Sequence, residues 1–593
     1  MRFLADLSNF AAMQDLNWYG KQSDAEGLTL GSLAVTAPMI EKMKVVEIIN
    51  QHLPVDAQAE YDHGTLLALM ISARLSSPLA LSNIPEWAGK SGADVLWGVP
   101  VEKLNDDRLG RSLDALFSQR HSIMATLALH ASKHFDIPLE RLHYDPTHIL
   151  FTGAYEDAEP RDDFSDESVA TNGNRGAAHI TKGRATDDAA KGTRMVHAGL
   201  LSHIDELGVL PLFGHMIDGN QNGRTGIREQ LGLLTKLLKP QKFTMISDRG
   251  TFSVAHLLRL KKAKSFAICS VPWGDVKELF RQQQSNLKWS EASYLSIEQN
   301  RRRDRNSLKP REHYELAEVP HEMTEDATGE SIACRVIFVF STADQKVVDK
   351  QRKKKIAHIQ KELAQLQRSV AAGRYNTKIA AIDKRVTRAF GDGRMERFFT
   401  YDVVELTASQ LAQQPKPQRG CKQPTHQFDW IFDEAKLKDA QAEDGYSAIV
   451  TTVPTRKKNC DELFSMFREQ NLVEHANSQL KGPLAVRPIF LHSPHRVEAL
   501  LFLLMIGLMV YFSIQRTYRA NTEEEAPIKE HRMTGAKILT SFSNYTLIVE
   551  RQKIGRVITP ARLSGRQRAI LNRLQFPSPA QTLSRRLNPV PEP

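Results

Sequence analysis

Cysteine is the scarcest chemistry in this chain. Its 593 residues hold four, Cys269, Cys334, Cys421 and Cys460, far apart and without a CxxC pair. That spacing argues against a disulfide framework or a structural zinc site and fits a reducing cytoplasm. A secretory leader is also lacking: MRFLADLSNFAAMQ has no basic stretch followed by a long apolar run. Long hydrophobic runs are few. The main one, residues 499–514 (ALLFLLMIGLMVYFSI), has 16 residues, short of the roughly 20 that span a bilayer. Arg496, Glu498 and Arg516 flank it, so a buried core helix is expected and no membrane partner. There is no internal repeat.

What is present describes a large soluble protein. Hydrophobic residues make up 41% and charged residues 25%, ordinary for a globular chain. The length exceeds one core and predicts two to four domains. A formal net charge of +10 favours a polyanionic partner, usually nucleic acid, although composition alone is equally met by simple solubility.

Residues 1–138 read as a helical N-terminal domain. Within 107–134, Leu113, Leu116, Phe117, Ile123, Met124 and Leu127 recur at helical spacing. From 139 to 520 the pattern becomes α/β. RLHYDPTHILFT (141–152) is strand-like, 194–201 and 207–218 are short apolar runs, and 225–238 is helical by period. FTMIS (243–247) is a short continuous apolar run, as in a strand buried on both faces. A helix at 253–262 and a strand at 265–271 follow, which indicates an α/β sheet. Residues 277–436 interrupt this rhythm as an insertion, after which a buried strand (447–452) and a helix (461–481) resume it. Residues 521–593 are polar and basic, with a short helix at 565–574, and are expected to form a weakly ordered tail.

Asp145 follows the first strand's Leu142, His143 and Tyr144, and Asp248 stands immediately after FTMIS. Carboxyl ends of buried strands are where catalytic side chains collect. Each aspartate has a plainer reading as a cap, and Asp218, in IDGN, is a strand-end competitor. Glu474 lies in a stripe of Phe467, Gln470, Glu474, Asn477 and Lys481, spaced to form one helix face. The plainer reading there is a solvated face. Three carboxylates from distant points suit phosphodiester chemistry: Mg²⁺ takes oxygen ligands, and two such ions activate an attacking oxygen and stabilise the leaving one. Residues 346–390 carry 13 Lys/Arg against three Asp/Glu. There Ile356, Ile359, Leu363, Leu366 and Val370 form a packing seam, with a turn near 371–375 and a returning helix through Ile379, Ile382 and Val386. Such a hairpin is either a solvated surface or a phosphate-binding one, with Arg352, Lys353, Lys354 and Lys355 facing DNA.

These segments resemble the DDE transposases of bacterial insertion sequences, in the insertion sequence four superfamily, in a branch with a long helical N-terminal domain. HYDPTHILFTG and MISDRGTFS are similar to the family's two aspartate strands, and IDGNQNGRTG to the turn between them. GPLAVRPIFLHSPHRVEALLFLLMIGLMVYFSIQRTYR is similar to the segment after the glutamate, and VEKLNDDRLGRSLDALF to the branch's N-terminal part. The family signature Tyr-x2-Arg-x3-Glu-x6-Lys is met by Phe467, Gln470, Glu474 and Lys481: the Glu and Lys match, the Tyr and Arg do not. The resemblance implies an RNase H-like catalytic domain, with Asp145, Asp248 and Glu474 as catalytic residues and as ligands of two Mg²⁺ ions, Mn²⁺ substituting. It implies DNA contacts from Lys481, Gln470 and Arg249, and a homodimer holding element ends and target DNA in a bacterial cytoplasm. Alternatives are a nuclease that cuts without joining and an inactive relic that only binds DNA.

Overall fold

The computed structural model describes residues 25–55, 58–153, 155–161, 176–183, 193–238, 242–295, 312–373, 379–391, 393–413, 423–481, 491–552 and 555–587. It is a mixed α/β protein of two compact units. The first comprises Met1–Cys269, Thr324–Ile332 and Met466–Pro593; the second, Ser270–Met323 and Ala333–Ser465.

The first unit opens with strand β1 (Ala25–Thr29) and helices α1 (Leu33–Lys42), α2 (Val45–His52) and α3 (His63–Ser76). Asp62 starts α3 by accepting the backbone N–H of Thr65 at 2.6 Å. Helix α4 (Asp106–His134) is capped by Asn105, carries Asp106 and Asp107 in its first turn and Lys133 and His134 in its last, charges that complement the helix dipole. A mixed sheet follows: β2 (Arg141–Phe151), β3 (Arg194–Asp205), β4 (Gly208–Asp218), then helix α5 (Gly223–Leu233), β5 (Thr244–Ser247), helix α6 (Val254–Lys262) and β6 (Phe266–Val271). The strand order is β4-β3-β2-β5-β6. β2, β3 and β4 pair antiparallel, whereas β5 and β6 run parallel to β2.

In the second unit, β7 (Tyr314–Thr324) and β8 (Ser331–Ser341) lead into helices α7 (Thr342–Ala371) and α8 (Ile379–Phe390). Strands β9 (Phe399–Glu405), β10 (His426–Phe432) and β11 (Tyr446–Thr451) follow. The expected seam is there: Ile356, Ile359, Leu363, Leu366 and Val370 pack with Ile382, Val386 and Phe390. A third layer, the antiparallel β9–β10 pair, adds Phe399 and Phe428 to this core. Of the expected turn at 371–375, residues 374 and 375 lie outside the described residues. The buried run at 447–452 resumes the sheet as expected: β11 follows β6 in its strand order and pairs antiparallel with β8.

The chain returns to the first unit with helices α9 (Gln470–Lys481) and α10 (Pro494–Ala520). α10 is apolar on every face and packs on α4, β4, α3 and α1. It is long and apolar enough to cross a membrane, but its most apolar stretch is wholly buried inside the protein. It has 27 residues rather than 16 because its polar flanks are buried in ion pairs. Glu498 meets Arg120 at 2.7 Å, and Arg516 grips both oxygens of Asp205 at 2.5 and 2.6 Å. These contacts also merge the helical N-terminal region with the sheet, so residues 1–138 are not a separate unit. The C-terminal segment corrects the expectation of a weakly ordered tail. Strands β12 (Thr546–Gln552) and β13 (Gly555–Pro560) form a three-stranded sheet with β1, in register from Ala25↔Glu550 to Thr29↔Thr546. Helix α11 (Gly565–Leu574) starts at a Ser564–Gln567 capping box and buries Ile570, Leu571 and Leu574.

Candidate functional site

The register of β2 on β5 is the starting point of the site. Parallel pairing runs from Arg141↔Thr244 to Tyr144↔Ser247, so the next residue on each strand is Asp145 and Asp248. Two carboxylates therefore leave neighbouring strands, spaced about 4.8 Å apart, at the carboxyl end of β5. β2 continues to Phe151 along β3 alone, and Pro146, with no N–H to donate, follows just where its parallel partner stops.

Asp248 fulfils its plainer expectation as well. It caps the short turn Arg249–Thr251 by accepting the Gly250 N–H at 3.0 Å. One carboxylate oxygen suffices for that cap. Burial pushes the Asp248 carboxyl above its usual range, against the opposing pull of the Gly250 N–H and the Arg249 charge. Arg249 is exposed beside it. Asp218 is accounted for differently: it is buried, ion-paired with Arg161 at 2.7 Å, and accepts the His179 N–H at 2.9 Å. A carboxylate so engaged serves to tie Arg161 and His179 to β4.

Helix α9 lies along β2 by its polar stripe. Gln470 Nε2 donates to the Tyr144 carbonyl at 3.0 Å, and its Oε1 is 3.0 Å from His143 Nδ1. With Nε2 donating, Oε1 is left to accept, which requires the proton on Nδ1. Two turns along the helix, Asn477 Nδ2 donates to Asp145 Oδ2 at 2.5 Å. Glu474, between them on the same face, is exposed. Gln470 is thus buried against β2 rather than presented to a ligand, which corrects its expected role as a DNA contact. The side chain of Lys481 lies outside the described residues, as does the segment 482–490 that follows. Among the described residues, no three His, Cys, Asp or Glu side chains stand close enough to hold a metal ion; Asp145 meets Asn477, and Asp248 caps its own turn.

Sequence reasoning missed the floor beneath these residues. His143 is fully buried, and its Nε2, without a hydrogen-bond partner, lies 3.8 Å from Glu469 Oε2, which also pairs with Arg141 at 3.3 Å. Burial pulls the imidazole down to about 3 and pushes the Glu469 carboxyl up, against Arg141. The Tyr144 hydroxyl is buried without a hydrogen-bond partner; burial, with Glu229, Asp145 and Asp248 nearby, pushes its pKa well above the usual phenol value. Gly199 and Gly226 make room for it: a Cβ on either would come within 2.6 and 2.8 Å of the hydroxyl oxygen. Polar residues at inward positions of a strand otherwise read as apolar were the available signal.

A pH dependence follows. His143, and His256, which burial lowers to about 4, are neutral when folded. An unfolded imidazole titrates near 6.5, so below that pH the unfolded chain takes up protons that the folded one refuses. Stability is therefore expected to fall as pH drops from about 6.5 towards 4, Glu469 offsetting part of the loss. Urea midpoints at pH 7.5 and 5 check this; His143→Gln should flatten the slope, and an unchanged slope would remove His143 as its source.

The basic hairpin of the second unit requires one correction. Arg352 is not on its outer surface: it is 8% exposed and forms a two-pronged ion pair with Asp444, so it is engaged inside the protein rather than presented to DNA. Lys353, Lys354 and Lys355 are exposed, Lys353 reaching Asp349 at 2.8 Å. Lys354, Lys355, His358 and Arg388 rim a groove of about 490 Å³ floored by Ile359 and Phe390.

Residues 26–129 match a family described only as a domain of unknown function, DUF4277. A search of curated proteins found no match to the chain.

Proposed function

We propose that this chain is a metal-dependent DDE transposase that cleaves DNA at the ends of an insertion sequence and joins them to target DNA, acting as a homodimer in the bacterial cytoplasm. The observation that carries this reading is the side-by-side emergence of Asp145 and Asp248 from β2 and β5, with the face of α9 that holds Glu474 laid on the same strand. Three antiparallel strands continued by two parallel ones support an RNase H-like domain. The matched N-terminal domain family is one found in transposase-like proteins.

The donor set is of the chemical type a hard divalent cation takes, although among the described residues the three carboxylates are not gathered into a metal-holding group. It is all oxygen, and Mg²⁺ binds through one or two carboxylates plus substrate phosphate rather than in a complete protein cage. A half-buried Asp248 whose carboxyl is raised by desolvation gains from a nearby positive charge. Asp145, Asp248 and Glu474 are the residues that would hold the metal. When bound, magnesium, or manganese in its place, supplies Lewis-acid charge to the phosphate and makes water or a 3′-hydroxyl a better nucleophile. The protein's own part is to hold the carboxylates together and set phosphates beside Arg249. Purified protein with element-end DNA and Mg²⁺ should give both nicked and joined products. Nicks without joining would make it a nuclease, and binding without nicks a relic.

The three exposed lysines test the DNA surface separately. Each phosphate contact adds about 0.9 to the salt slope of binding. Replacing Lys353, Lys354 and Lys355 with Ala should weaken DNA binding and flatten that slope by up to about 3, with cleavage recovered at higher protein concentration. Wild-type affinity and slope would return the hairpin to a solvated role.

A further inference from the structure

Glu474 is exposed, and among the described residues it makes no ion pair or hydrogen bond. Its direction is set by how its helix is held. α9 has only 12 residues, too short to be rigidly placed without attachments. Its polar attachments flank Glu474 on the same face, Gln470 four residues before and Asn477 three after. Together they grip three consecutive residues of β2: the His143 side chain, the Tyr144 main chain and the Asp145 carboxylate. The bond to the Tyr144 carbonyl is specific to register, because sliding the helix by one residue would break it and turn Glu474 away.

Resting on the transposase reading, we propose that Gln470 and Asn477 are positioning residues: they lock α9 onto β2 and thereby aim Glu474 at Asp145. An amide is the side chain this place requires. Gln470 both accepts from His143 Nδ1 and donates to a carbonyl, and both residues are buried. An arginine, the residue of the family signature at this position, carries donors only and would face the His143 N–H with another N–H. Asn477 likewise holds one oxygen of Asp145, a supporting bond of the kind that orients metal-binding carboxylates.

The test uses the full-length protein and two near-isosteric variants, Gln470→Met and Asn477→Leu. Backbone hydrogen exchange of residues 470–481 is read without metal or DNA, and nicking is read against Mg²⁺ concentration. Loss of the lock should raise exchange in α9 about tenfold or more. It should raise the half-saturating Mg²⁺ and lower the nicking rate by about 10–100-fold, with DNA affinity unchanged. A merely structural role would reduce the active fraction without moving the half-saturation point. The proposal is overturned if Gln470→Met leaves α9 exchange as in the wild type, or if Gln470→Arg nicks as well as wild type with α9 equally protected. If the wild type cuts no DNA, the transposase reading fails, while the exchange measurement still decides the lock.

Discussion

Glu474→Gln should leave DNA binding intact and remove cleavage at every protein concentration. The substitution keeps the shape and the helix but takes away one negative charge from an exposed side chain that contributes nothing else visible to the fold. Loss of a metal-holding carboxylate acts on the chemical step rather than on association. A drop of about 1000-fold or more is expected, on the order of 4 kcal/mol of barrier. Asp145→Asn and Asp248→Asn should behave alike, although Asp248→Asn also weakens the cap on Gly250. Gel-shift affinity and nicking of labelled end DNA, measured together, separate the two effects. A Gln variant that cuts in magnesium at the wild-type rate would remove Glu474 from the site.

Arg352→Ala should damage folding where the neighbouring lysine substitutions do not. Arg352 and Asp444 are both buried, and the guanidinium meets both carboxylate oxygens. Deleting one partner leaves an uncompensated charge away from water, which costs about 3–5 kcal/mol. That is a large part of the stability of an ordinary domain. Denaturant unfolding followed by Trp fluorescence should show an early transition in Arg352→Ala, absent from Lys354→Ala. Arg352→Met with Asp444→Leu should recover most of it, since replacing both charges by apolar groups removes the penalty. Unfolding of Arg352→Ala indistinguishable from wild type would place the arginine back at the surface.

Arg352 also shows what could be read from the sequence and was not. It stands four residues before Ile356, in line with Ile359, Leu363, Leu366 and Val370, so its helical position is on the buried face. Its charge and the three lysines after it pointed outward instead. Asp145 and Asp248 were legible because short apolar runs precede each of them, and α10 because its run is apolar on every face. The pairing of His143 with Glu469 was not, because it joins residues more than 300 positions apart through a burial that neither neighbourhood announces. The limits of the second unit were hidden for a related reason: contacts between distant segments set them, and periodicity does not report such contacts. The C-terminal strands looked like tail because their polar composition is that of an edge, and their partner β1 is at the other end of the chain.

That last pairing bears on how the protein is made. β1 leaves the ribosome more than five hundred residues before its partner β12. At ordinary synthesis rates of about 5–20 residues per second, the wait is roughly 25–100 s. During it the apolar positions Leu28 and Leu30, buried in the finished protein, lack their final cover, while the second unit has all its own residues and can fold first. A chain cut short before residue 546 would therefore carry Asp145, Asp248 and Glu474 yet leave β1 without its partner strand.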